Sequence, residues 1–136
     1  ALLHASDFAG QHHHCIHAIF AGEDGHLRTE HEEQLDRALV PEPVEARLTR
    51  TGWMIHNAHK CRIGGRLFYH VILGDGASMA SYFISLEGEA GGLAAALGEE
   101  VGADMRVEAL ASGRVLVSPP GLPRAHAEAL RAALEG

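Results

Sequence analysis

The chain has 136 residues, 46% of them hydrophobic and 21% charged, the make-up of one ordinary globular domain with room for a buried core. Its 11 Lys and Arg stand against 18 Asp and Glu, for a formal charge of −7. That sign argues against nucleic acid and anionic membrane as partners, since both select basic patches. Histidine is the residue out of proportion, at 11, and it directs attention to metal binding and pH response.

No run approaches the roughly 20 apolar residues of a membrane span, so direct membrane insertion is not expected. The start Ala1-Leu2-Leu3 lacks the positive flank and long apolar stretch of a signal peptide. The chain opens without methionine, and we expect residues 1–136 to be a single domain taken from a longer protein. The segment Leu2 to Phe20 carries five histidines, and Phe8, Cys15, Ile16, Ile19 and Phe20 fall at helical spacing. A helix starting near Ser6 or Asp7 is predicted, either residue serving as its cap. Gly22-Glu23-Asp24-Gly25 reads as a turn. Thr29 to Val40 reads as an acidic amphipathic helix that stops before Pro41-Glu42-Pro43.

From Val44 to Leu86 the texture is that of strands, with Trp53 to Ile63, Leu67 to Leu73 and Met79 to Leu86 rich in β-branched and aromatic residues. Gly64-Gly65 and Gly74-Asp75-Gly76 separate them, which predicts an antiparallel meander. Gly91 to Leu97 suggests a short helix or turn. Met105 to Leu110 and Val115 to Ser118 suggest a second hairpin around Ser112-Gly113, and Leu122 to Leu134 a closing helix after Pro119-Pro120. The fold expected is α+β, an antiparallel β-meander with helices packed on one side.

A symmetric turn at Gly64-Gly65 sets Cys61 opposite Phe68 and His59 opposite His70. Cys61, His59 and His70 then share one face of the sheet, together with Trp53, Ile55 and Phe68. In this register Cys61 and His70 are diagonal neighbours with Cβ atoms roughly 7 Å apart or less, which one metal spans through bonds of about 2.0 to 2.3 Å. A one-residue bulge would break the argument. On the N-terminal helix, His12-x-x-Cys15 puts two more donors on one face. The set His12, Cys15, Cys61 and His70 suits tetrahedral zinc first and copper second. His59 stands in reserve as a replacement ligand or a supporting partner. His4, His13, His14, His17, His26, His31 and His126 read as surface residues.

The stretch Cys61-Arg62-Ile63-Gly64-Gly65-Arg66-Leu67-Phe68-Tyr69-His70, with the Gly-Asp-Gly turn and Ser81-Tyr82-Phe83-Ile84-Ser85 that follow, resembles the C-terminal extracytoplasmic domain of bacterial anti-sigma factors of the transmembrane-regulator type. In that family a D-H-x-x-C-like segment accompanies a cysteine-bearing strand and a histidine nine residues later. His12-His13-His14-Cys15 and Cys61 to His70 match the two intervals, with Gln11 in place of the Asp. The resemblance implies a metal-binding sensor domain involved in transcription regulation, in the periplasm or otherwise outside the cytoplasm. It also implies a sigma factor or membrane-bound regulator as partner, reached through the rest of the chain.

Other uses of the same residues stay open. Cys15 and Cys61 would also serve as a disulfide or thiol redox switch, or simply as buried thiols. A metal with three protein ligands and a water would hydrolyse, but no G-x-S-x-G, H-E-x-x-H or phosphate-cradling loop accompanies it, and we expect no enzyme. Haem is less favoured, since C-x-x-C-H is absent.

Overall fold

The computed structural model describes residues 3–20, 37–87, 105–110, 113–119 and 121–135. Helix α1 (Ala5–Phe20) begins where the Asp7 carboxylate accepts the His4 backbone N–H at 2.8 Å and the Asp7 N–H returns a bond to the His4 carbonyl. Asp7 thus caps the helix from inside its first turn, where a negative charge also suits the helix dipole.

Helix α2 (Glu42–Arg50) was not expected, and it corrects the reading of Val44 onward as strand material. Pro41 is its N-cap and Pro43 lies in its first turn, positions whose N–H would have no helical partner anyway, so the prolines start this helix instead of preventing one. Residues 37–39, just before it, are helical as expected. Gly52, at φ +89°, ends α2 and turns the chain into the sheet.

The sheet contains β1 (Met54–Ile63), β2 (Arg66–Gly74), β3 (Met79–Ser85), β4 (Arg106–Leu110) and β5 (Arg114–Ser118), in the order β1-β2-β3-β5-β4 with every neighbour antiparallel. Both residues of the β1–β2 turn, Gly64 and Gly65, have positive φ (58° and 81°), which is what a two-residue hairpin of the favoured twist requires. Helix α3 (Arg124–Glu135) closes the described chain.

The α+β class and the antiparallel meander are therefore as expected, but helices cover both faces of the sheet. Strands β2 and β3 are buried along almost their whole length on both sides, so each face needs a cover. One face packs Tyr69, Val71, Leu73, Tyr82 and Leu116 against Leu48 of α2 and Leu130 and Leu134 of α3. The other packs Phe68, Phe83, Val107, Val115 and Val117 against Leu3 and Phe8 at the start of α1. The turn expected at 22–25, the helix expected over 29–36 and the short element expected at 91–97 lie outside the described residues.

Candidate metal centre

The register of the first hairpin places the site. From Asn57 to Ile63 it is the one expected: Cys61 pairs with Phe68 and His59 with His70. A bulge then intervenes, because Ile55 pairs with Leu73 while Asn57 pairs with Ile72, leaving His56 as the extra residue. It lies beyond the donors, so His59, Cys61 and His70 keep one face. Trp53 and Ile55 are thrown to the opposite face, where they pack in the core beside α2. That corrects the expectation that they share the face of Cys61.

Helix α1 lies across the donor face, Phe8 meeting Phe68 and Phe83 edge-on with ring centroids 5.3 Å away in each case. One turn further along, at the i+4 and i+7 positions, His12 and Cys15 face the sheet. The Cys15 thiol and one ring nitrogen from each of His59 and His70 all lie within 4.8 Å of one another. Cys15 Sγ is 3.4 Å from His59 Nε2. A zinc tetrahedron with ordinary bond lengths has ligand-to-ligand edges of roughly 3.3–3.6 Å, so this pair already stands near the required spacing.

Each of the three donors has a neighbour that orients it. Asn57 Oδ1 accepts from His59 Nδ1 at 2.7 Å, which leaves the His59 Nε2 lone pair toward Cys15. Gln11 Nε2 donates to Cys15 Sγ at 3.3 Å. His70 Nε2 is 2.7 Å from Ser81 Oγ, and the His70 ring stacks on Phe83 at 4.1 Å and 18°. The other nitrogen, His70 Nδ1, is fully buried with no hydrogen-bond partner among the described residues. A polar atom in that state is costly unless something else meets it.

The His12, Cys15 and His70 side of the site is shut off from solvent, while His59 and Cys61 are half-buried. Burial, with His13 adding a little, pulls His12 down to about 4. Burial pulls His70 well below the usual histidine range, aided by His59 and His12. Both rings are neutral at pH 7, the form in which imidazole binds metal. Burial pushes the Cys61 thiol up to about 12, and the neighbouring Cys15 pushes it the same way.

Of the four residues expected as ligands, Cys15 and His70 lie in the three-donor group. His12 and Cys61 stand beside it: His12 Nδ1 is 2.5 Å from Ser81 Oγ, while Cys61 is half-buried two residues along β1 from His59. His59, the reserve ligand, fills the third place. Cys15 and Cys61 are not joined in a disulfide. His4, His13, His14 and His126 are exposed, as expected of surface histidines. The orienting roles of Gln11, Asn57 and Ser81 escaped the sequence reading, although Gln11 is four residues before Cys15 on the helix and Asn57 two before His59 on the strand, spacings that share a face.

Protein-family models, curated proteins and solved structures were all compared with this chain, and none matches it.

Proposed function

We propose that the protein binds one zinc ion through Cys15, His59 and His70, with Cys61 as the fourth ligand, and that it acts as a non-catalytic sensor or regulatory domain. The observation that carries the reading is His70 Nδ1, a buried ring nitrogen with no hydrogen-bond partner among the described residues, in a three-residue group of metal-binding side chains. Cys61 is preferred to His12 for the fourth position because it shares the His59 face of β1 and is close enough to Cys15 for the two thiols to feel each other's charge. Four protein ligands close the coordination shell, as in structural zinc sites, and leave no place for a reacting water. The likeness of the Cys61–His70 stretch to extracytoplasmic anti-sigma domains supports a role in which metal load is passed to a regulator of transcription.

Elemental analysis of protein purified without chelator tests this directly. About one equivalent of zinc is expected in the parent, and much less in Cys15→Ser and Cys61→Ser variants that keep the parent's circular dichroism. A metal-free parent whose two thiols react freely would remove the proposal. The proximity of the thiols favours one second reading, a redox switch. Its mark would be a Cys15–Cys61 disulfide formed by mild oxidant in protein that has never held metal.

A further inference from the structure

Ser81 is wholly buried in the middle of β3, and its hydroxyl touches two histidines, His12 Nδ1 at 2.5 Å and His70 Nε2 at 2.7 Å. A serine hydroxyl has one hydrogen to give and two lone pairs to accept with. Each neutral imidazole carries one N–H, on one nitrogen or the other. Only three arrangements of these hydrogens use both contacts.

In the first, His12 Nδ1–H donates to Ser81 and Ser81 donates to His70 Nε2. His70 must then carry its own hydrogen on Nδ1, the buried atom with no partner among the described residues, and an orphaned buried N–H is among the rarest defects in proteins. In the second, both rings donate to Ser81, and the serine hydrogen loses both of its neighbours as acceptors. In the third, His70 Nε2–H donates to Ser81 and Ser81 donates to His12 Nδ1. Every hydrogen between the three residues then has an acceptor, and what remains at His70 Nδ1 is a lone pair, the cheaper atom to leave unmet and the one a metal ion seeks.

We infer that Ser81 is a positioning residue of this site: held between His12 and His70, its hydroxyl fixes His70 in the Nε2–H form so that Nδ1 is presented as the donor, with His12 as the far end of the wire and not a ligand. The consequence for metal binding rests on the zinc reading above, whereas the tautomer of His70 does not depend on it. The stack of His70 on Phe83 sets the plane of the ring, and the serine decides which of its nitrogens is bare.

Nitrogen-15 NMR of the histidine rings in metal-free protein at pH 7.5 reads the tautomer directly. In the parent, His70 is expected to be protonated on Nε2. Replacing the acceptor with an apolar ring of similar bulk, His12→Phe, leaves the serine hydrogen only His70 Nε2 to turn to, and His70 should shift toward the Nδ1–H form. His12→Gln, whose side-chain oxygen can accept again, should restore the parent signal. Ser81→Ala should leave both tautomers populated and weaken zinc binding by roughly 10- to 100-fold, as loss of an orienting partner does elsewhere, measured by competition with a chromophoric chelator. A parent His70 protonated on Nδ1, or a His70 signal indifferent to His12→Phe, overturns the assignment even if Ser81→Ala fails to fold. A parent with the expected tautomer that takes up no zinc removes the metal reading and leaves the role of Ser81 in place.

Discussion

An imidazole in water takes up a proton near pH 6.5, and the two buried here resist doing so, His12 holding out to about 4 and His70 held well below the usual histidine range, chiefly because burial penalises the charged ring. Between those values and 6.5 the unfolded chain binds more protons than the folded one. Stability from this source is therefore fully present above about pH 6.5 and drains away as pH falls, by up to about 1.4 kcal/mol per pH unit for each ring. Urea midpoints of metal-free protein should be flat from pH 8 to 7 and fall steadily from 6 to 4.5, and His12→Phe should make the fall shallower. A midpoint that does not move down to pH 5 would contradict the burial of these rings. Bound zinc adds to the same trend, because thiols and imidazoles must lose protons to bind it.

At the scale of elements, the bulge at His56 decides which core Trp53 enters. Deleting His56 would join Ile55, already opposite Leu73, directly to Asn57, already opposite Ile72, giving an unbroken ladder in which Ile55 and Trp53 keep their present face. Trp53 is the sole tryptophan and only 2% exposed, so its emission is a clean reporter. The deletion should therefore leave its emission unshifted, while Trp53→Ala should lower stability by about 3–5 kcal/mol, the usual cost of emptying a tryptophan site; a red shift on deleting His56 would contradict this register. The same bulge shows where the sequence stops being legible. Glycine pairs and β-branched runs announce strands and their turn, and so the His59–His70 register could be read from them. A bulge leaves no mark in the alternation around Ile55-His56-Asn57, and the sequence reading carried the face of Cys61 through to Trp53. Helix α2 was hidden differently, because Pro41 and Pro43 read as breakers until one knows that the helix begins at them. Ser81 was hidden by size, a small polar residue inside an apolar strand whose partners come from two other elements.

At the scale of the whole molecule the sheet divides the interior into two cores of unequal size. The larger, beneath α2 and α3, is tied further by Arg47 and Arg114, which donate to the Ala133 and Leu134 carbonyls at the end of α3. On the donor face, α1 and the residue before its cap contribute Leu3 and Phe8, with Ala5 and Ala9 partly buried, to the apolar cluster. A metal shared by Cys15 with His59, Cys61 and His70 would close a loop of 46 residues between the cysteines. Structural zinc is worth on the order of 10 kcal/mol of apparent binding energy in small peptides, enough to hold such a helix down. Chelation, or Cys61→Ser, should then open residues up to about 20 to protease while the fragment carrying the sheet, α2 and α3 persists. Equal protection of the N-terminal segment with and without metal would show that apolar contacts hold α1 unaided.

The strand that supplies His59 and Cys61 is also an outermost one, and among the described residues no strand pairs with its outer side. Such a border is a template on which a second chain can add itself, and repeated addition makes fibres. Here the extra residue at His56 kinks the border, and Lys60 and Arg62 stand exposed along it, so an approaching copy meets an irregular ladder and charge of its own sign. The irregularity that sends Trp53 to the far core thereby also guards the molecule against polymerising along its donor-bearing strand.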